Sequence, residues 1–192
     1  YTAMVAYSLG DQNKMALYVN ECRQRKIQIE YPDVNEADAY CTVIENKIIL
    51  PFSAVKGVGI YRAQEIAAER KANGSYKDYF DFVARCVIRK IDRKIIEALI
   101  DGGALDSLGL SRRTCKSTLD RALNYADMVI KTDGGQMTLD LGIVSPPVFI
   151  RLADDPDDRN ACEREVLGFS LAPSPIGEMK RKLNIQTPAI AS

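Results

Sequence analysis

The chain has 192 residues, 46% of them hydrophobic, with 26 Lys and Arg balanced by 26 Asp and Glu and no histidine. This is the composition of a soluble globular protein with room for one core or two small ones, and zero net charge leaves any affinity for nucleic acid to local clustering. The missing histidine excludes histidine acid–base and triad chemistry within the chain. The unspaced Cys22, Cys41, Cys86, Cys115 and Cys162 argue against a zinc site and suit a reducing cytoplasm. No apolar run approaches the ~20 residues of a membrane span, and no secretory leader opens the chain. Because it begins at Tyr1 without an initiator methionine, it reads as a piece of a longer protein.

Residues 1–50 read as a small α/β unit. Asp11 is a candidate cap for a helix over 13–26, in which Met15, Val19 and Cys22 share one face. Ile27 and Ile29 alternate with polar residues as a short strand stopped by Pro32-Asp33. Two β-rich runs, 39–44 and 47–50, flank Glu45-Asn46 and make a hairpin.

The run Ala54-Val55-Lys56-Gly57-Val58-Gly59-Ile60 leads straight into a helical pattern over 61–71. Ala63, Ile66 and Ala67 form its buried face, and Arg62, Arg70 and Lys71 are left to solvent. Two glycines one residue apart between short apolar segments match the hairpin of a helix-hairpin-helix module. In such a module bare backbone N–H groups and the following helix N-terminus meet a DNA phosphate. A Cβ at either glycine would obstruct the tight turn or the close approach. A dinucleotide fingerprint is excluded because Arg62 stands where its third glycine belongs, and no Gly-Lys-Ser/Thr follows to make a P-loop. An ordinary tight turn without a ligand is the other open reading. Residues 56–94 carry ten Lys/Arg against five Asp/Glu, whereas 154–165 carry six acids against two arginines; either run by itself also fits a solvated face.

Asn73-Gly74-Ser75 breaks the chain, with Gly74 as helix terminator. Tyr76, Tyr79, Phe80 and Phe82 within 75–86 read as core. Ile91, Ile95, Ile96, Leu99 and Ile100 make an amphipathic helix with Asp92 as candidate cap, ended by Asp101-Gly102-Gly103-Ala104-Leu105. Ser107-Leu108-Gly109 leads to the cleanest helical stripe: Cys115, Leu119, Ala122, Leu123 and Ala126. Helix, glycine turn, helix therefore occurs twice within 51–130, the second copy degenerate because Gly102-Gly103 is not Gly-x-Gly. Two such units packed together make one DNA-binding module. Residues 131–156, with Gly134-Gly135, Pro146-Pro147 and Asp154-Asp155-Pro156, are expected to form a long loop. It carries the apolar patch Gln136-Met137-Thr138-Leu139-Asp140-Leu141. A last helix over 157–167, ended by Gly168, opens the region 157–192, where Pro173, Pro175 and Gly177 interrupt any single element. The expected fold class is mainly α with a small α/β N-terminal part.

Taken in order, Tyr18-Val19-Asn20-Glu21-Cys22-Arg23, Tyr31-Pro32-Asp33-Val34-Asn35 and Phe52-Ser53-Ala54-Val55-Lys56-Gly57-Val58-Gly59 form a recognisable series. It continues through Phe80-Asp81-Phe82, the run from Leu99 to Gly109, Gly135-Gln136-Met137-Thr138-Leu139 and Glu163-Arg164-Glu165-Val166-Leu167-Gly168-Phe169. The series resembles the end of the fingers and the tandem helix-hairpin-helix region of the alpha subunits of bacterial C-family replicative DNA polymerases, the polymerase III family. The resemblance covers most of the chain in collinear order.

It implies a parent that is a DNA-directed DNA polymerase, a nucleotidyltransferase using Mg2+ held by palm aspartates upstream. This chain then carries none of those aspartates, no metal or cofactor of its own, and no activity alone. It further implies that residues 1–50 belong to the fingers. Lys56, Gly57, Val58, Gly59 and Ile60 present N–H groups to one phosphate, with charge from Lys56 and from Arg62 nearby, and Arg112 and Arg113 serve the other strand. Such contacts position DNA without reading its sequence. The hexapeptide resembles the family's internal sliding-clamp motif, with Gln136 at the pocket edge and Met137, Leu139 and Leu141 filling the pocket. Asp140 stands where the family usually has an aromatic. The hexapeptide docking on its own domain is the other reading. The implied partners are primer–template duplex, the sliding clamp and other replicase subunits, in the bacterial cytoplasm and without a membrane. The alternative for the whole chain is the helix-hairpin-helix module of a DNA repair or recombination protein; the fingers-like residues 1–50 and the Glu163–Gly168 segment favour the polymerase.

Overall fold

Helix α1 (Gln12–Gln24) starts where the Asp11 carboxylate accepts the Lys14 N–H at 3.1 Å, and it buries Met15, Val19 and Cys22. The computed structural model describes residues 3–4, 11–133, 136–139 and 145–171. A three-stranded sheet follows in the order β1 (Gln28–Glu30), β3 (Lys47–Ile49), β2 (Thr42–Ile44), with β1 parallel and β2 antiparallel to β3. Glu45 and Asn46 both take left-handed φ values, +50° and +63°, as the expected two-residue hairpin requires. Strand β2 is shorter than the run 39–44 because the backbone before it is engaged elsewhere. The Asp38 carbonyl accepts the Phe52 N–H at 3.0 Å, and the Ala39 carbonyl accepts the Ser53 hydroxyl at 2.6 Å.

Beyond the sheet the described chain is helical: α2 (Ile60–Asn73), α3 (Tyr79–Ile88), α4 (Arg93–Asp101) and α5 (Arg112–Val129). Between β3 and α2 the segment expected to be the first helix of the first unit is a single 3-10 turn, Phe52–Ala54, which Val55 leaves in an extended conformation. Asp92 stands at the N-cap of α4, but its side chain makes no capping bond.

The core forms where α3 lies along α5. The Tyr79 hydroxyl donates to the Cys115 carbonyl at 2.8 Å, and Phe80 meets Tyr125 edge-on at 5.6 Å between ring centroids. Cys115, Leu119, Ala122 and Ala126 are buried on that face, and Leu123 is half-buried beside it. The loop before the sheet joins the same core: Val34 donates its N–H to the Ala104 carbonyl at 2.8 Å, and Arg70 donates to the Val34 and Ala37 carbonyls.

After α5 the structure departs from the expected long loop. Ile130 leaves the helix in an extended conformation, and β4 (Ile130–Asp133) pairs antiparallel with β5 (Gln136–Leu139), Ile130 opposite Leu139. Gly134-Gly135, Leu141 and everything beyond 171, including Pro173, Pro175 and Gly177, lie outside the described residues. Residues 145–155 have no regular structure. The last helix, α6 (Pro156–Leu167), is stopped by Gly168, as the sequence indicates, and Asp155 caps its start.

Two buried arginines tie these pieces together. Arg85, 4% exposed, donates to the Glu69 carboxylate (3.1 Å) and to the Glu69 and Gly74 carbonyls at the end of α2 (3.0 and 2.9 Å), and it stacks on Tyr76. Arg112, 5% exposed, grips both Asp106 oxygens (2.9 and 2.8 Å), Glu163 (2.8 Å) and the Asp101 carbonyl at the end of α4 (2.9 Å). Glu163 is fully buried. Burial alone raises its pKa, but Ser170, the neighbouring Tyr31 hydroxyl and Arg112 outweigh burial and hold the carboxyl below its ordinary 4.5. Because the folded value is depressed, the stability this carboxylate contributes is whole above pH 4.5 and is lost as pH falls through the folded pKa. Glu163→Gln is expected to lower stability near neutral pH by about 3 kcal/mol, since a buried arginine loses a charged partner. Thermal melts of both proteins taken from about pH 6 to about pH 3 will show that gap narrowing on the acid side.

Candidate nucleic-acid interface

The segment 55–59 is a tight turn anchored on buried valines. Val55 donates its N–H to the Phe52 carbonyl and Val58 its N–H to the Val55 carbonyl, each at 3.0 Å. Gly57, at φ +88°, fills the third position of that turn, a type II geometry that any L side chain would strain. Val55 and Val58 point into the core, while Lys56, Gly57 and Gly59 are exposed. Gly59 is the N-cap of α2 at φ −65°, and a Cβ there would meet nothing within 4 Å. The fold therefore requires glycine at 57 only; at 59 it leaves open space in front of the backbone.

That space faces unbonded donors. The N–H groups of Gly57, Gly59, Ile60, Tyr61 and Arg62 have no acceptor among the described residues, and α2 has no side-chain cap. They carry the positive end of the helix dipole. Two of the expected donors are corrected: Lys56 gives its N–H to the Val166 carbonyl at 2.7 Å, and Val58 spends its own inside the turn. The Lys56 side chain is exposed. Arg62 is half-buried and paired with Glu65 at 2.6 Å, which raises its pKa above the ordinary value. A groove runs in front of the turn, walled by Asp11, Gln12 and Asn13 at the start of α1 and by Tyr40. Asp11 is an acid on this face, but its carboxylate is engaged by the Lys14 N–H and ammonium and held below its ordinary pKa.

The second turn is built differently. Its glycines serve packing: a Cβ at Gly102 would come within 3.0 Å of Val55 Cγ2, and one at Gly103 within 2.3 Å of Arg112 Nη2. The two turns thus touch through Gly102 and Val55, and Gly103 leaves the passage that Arg112 fills. Arg112 is accordingly corrected as a DNA contact, because it is buried and fully engaged by Asp106, Glu163 and the Asp101 carbonyl. Burial lowers an arginine pKa, yet Asp106 and Glu163 more than reverse that and lift it above the ordinary value. Arg113 is exposed. The N-terminus of α5 is also closed. Ser111 Oγ accepts the Thr114 N–H at 3.1 Å, and the Asp154 carboxylate accepts the Arg112 and Arg113 N–H groups at 3.2 and 2.8 Å.

Gln136, Met137 and Leu139 lie in β5, whose backbone pairs with β4 and runs near α3. Leu141 is outside the described residues. Among the described residues no group of three or more His, Cys, Asp or Glu is arranged to hold a metal, and no helix is long and apolar enough to cross a membrane. The partners that set this interface, the Val166 carbonyl and the Asp154 carboxylate, carry no local sequence signal. The acidic excess of residues 154–165 was the nearest hint.

Residues 26–115 match the family model described as helix-hairpin-helix motif. The chain is 31% identical over 178 residues to the DNA polymerase III subunit alpha of Staphylococcus aureus (strain MRSA252), covering 92% of this chain and 16% of that protein. It is 29% identical over 178 residues, with the same shares covered, to the DNA polymerase III subunit alpha of Staphylococcus epidermidis (strain RP62A). The resemblance read from the sequence therefore holds across nearly the whole chain, which spans 16% of the length of these relatives.

The two glycines of the first turn separate by substitution. Gly57→Ala is expected to cost about 1 kcal/mol because a Cβ disfavours positive φ. Gly59→Ala is expected to cost about half of that or less, as alanine is only a poorer N-cap. Urea denaturation of the two variants checks the order.

Proposed function

We propose, from this likeness to one stretch of the polymerase III alpha subunit, that the chain is the part of such a subunit that holds duplex DNA through its first hairpin. The observation that carries the reading is the row of N–H groups at Gly57, Gly59, Ile60, Tyr61 and Arg62, which have no acceptor among the described residues, beside the exposed Lys56. A phosphodiester placed there accepts hydrogen bonds from two or more of these groups and sits on the helix dipole, with the Lys56 ammonium within reach of its charge. No side chain in this arrangement addresses a base edge, so binding is indifferent to sequence, as a replicating enzyme needs. Hydrogen bonds to a charged group contribute roughly 1.5–3 kcal/mol each; a few of them, screened by salt, give micromolar or weaker affinity. Polymerisation and its Mg2+ belong to other parts of the parent, and this chain alone is inactive. The start of α1 and Tyr40 border the same groove, so the fingers-like part lies along the DNA path.

A labelled primer–template duplex, followed by fluorescence anisotropy from ~50 to ~200 mM salt, is expected to bind at micromolar Kd and weaken steeply. Lys56→Ala is expected to reduce the log–log salt slope by about one, and Gly59→Ala to weaken binding while its melt stays near that of the parent. Salt-independent binding, or full affinity in Gly59→Ala, would refute the hairpin as a phosphate clamp.

The same reading makes Gln136, Met137, Leu139 and Leu141 the contact to a sliding clamp, presented from β5 and the residues just after it. A Gln136→Ala, Leu139→Ala double variant is expected to lose capture of the clamp in a pull-down that retains the parent; equal capture would show that the hexapeptide serves its own domain.

A further inference from the structure

Among the described residues every aromatic ring but two is buried or half-buried. The exceptions are Tyr40, 57% exposed, and Tyr61, 81% exposed. Both stand at the first hairpin. Tyr40 lines the groove in front of the Gly57 turn, and Tyr61 follows Ile60, the last residue of that lining, in the first turn of α2. Neither side chain has a hydrogen bond or a ring contact among the described residues. Apolar groups exposed singly are ordinary on a protein surface. Two unpartnered rings at one turn, and none elsewhere among the described residues, match a ligand that carries flat faces.

We propose that the groove at the first hairpin is a platform for single-stranded DNA, whose unpaired bases stack on Tyr40 and Tyr61 while its phosphates meet the N–H groups of the Gly57 turn and α2. The proposal rests on the reading of that hairpin as a phosphate binder and names the strand it takes besides duplex. A paired base is already stacked between its neighbours, whereas an unpaired base of any kind offers a π-face to a tyrosine. Stacking therefore selects strandedness and ignores sequence, in keeping with a site whose other contacts are to the backbone.

The geometry suits such a strand in two further ways. The groove encloses about 1120 Å³, at the top of the range that holds drug-sized ligands and far more than one phosphate fills. Tyr40 is also carried on a fixed backbone. Beside it Ala39 is buried and its carbonyl accepts the Ser53 hydroxyl at 2.6 Å, while the Asp38 carbonyl accepts the Phe52 N–H. The residues that lead into the hairpin thus hold the Tyr40 backbone beside it, so its ring is presented without first being ordered.

Fluorescence anisotropy of the 192-residue chain with three labelled ligands tests this: a short mixed-sequence single strand, the same strand built of abasic residues, and the blunt duplex of that sequence. The intact strand is expected to bind at least about tenfold more tightly than the abasic one, the scale of one or two stacked bases. Tyr40→Ala and Tyr61→Ala are each expected to weaken the intact strand about fivefold or more, and the abasic strand and duplex by less. Tyr40→Phe and Tyr61→Phe, which keep the ring, are expected to retain the parent's affinity. Gly59→Ala is expected to weaken all three ligands, since it acts on the phosphates they share. Equal binding of the intact and abasic strands by the parent overturns the platform without any variant. Losses in the alanine variants that are as large on the abasic strand or the duplex overturn it as well. If Gly59→Ala still weakens the duplex, either result leaves the phosphate clamp standing. Tyrosine-dependent binding of the single strand that Gly59→Ala leaves at full strength supports the rings as base contacts and overturns the clamp. No binding of any ligand overturns both.

Discussion

The edge of this molecule that carries the first hairpin depends on where α6 sits, and α6 is held by a buried arginine from another helix. Arg112 lies under the surface with Asp106 on one side and Glu163 on the other, its ring neighbour Tyr31 at 5.1 Å. Burying a guanidinium costs several kcal/mol unless charge and hydrogen bonds are both met. Here a bidentate carboxylate, a second carboxylate and a backbone carbonyl meet them together. Because Glu163 comes from α6, the demand of Arg112 for an anion fixes that helix against the second turn. The consequence reaches further along α6: the Val166 carbonyl accepts the Lys56 N–H, which fixes the first hairpin. One ion pair in the second unit therefore sets the geometry of the Gly57 turn in the first.

Two buried arginines solve one packing problem with one device. Each takes a carbonyl at the end of the preceding helix and is neutralised by a buried glutamate: Arg85 with Glu69 across the Gly74 turn between α2 and α3, Arg112 with Glu163 at the second hairpin. Such residues close orphan carbonyls that water cannot reach. The two hairpins differ in what they leave open. In the first, the first-turn N–H groups of α2 have no acceptor among the described residues; in the second, a carboxylate from the same chain closes α5. The glycines follow that division, since Gly59 borders open space whereas Gly103 makes room for Arg112. A Gly-x-Gly turn and a Gly-Gly turn that look like versions of one motif thus perform different physical tasks.

The local pieces were legible in the sequence because neighbours in sequence create them. Asp11 caps α1, Glu45-Asn46 turns the hairpin, Gly74 and Gly168 end their helices, and the stripe from Cys115 to Ala126 buries one face of α5. Each rests on interactions within a few residues, where helical and strand periodicity act. The run 131–156 was harder: a strand pair as short as β4 and β5 is stabilised by its partner rather than by alternation of its own residues.

The sequence by itself determined the mainly helical class, the position of the Gly57 turn and the family likeness. These are set by periodicity, by the need for positive φ and by collinear order. Tertiary structure alone decided which polar groups remain to bind anything. Lys56 lost its N–H to a carbonyl 110 residues on, Arg112 became a core ion pair rather than a DNA contact, and Asp154 closed the second helix end. The physical reason is that a donor's availability depends on every acceptor the fold brings within about 3 Å of it, and those acceptors come from distant parts of the chain.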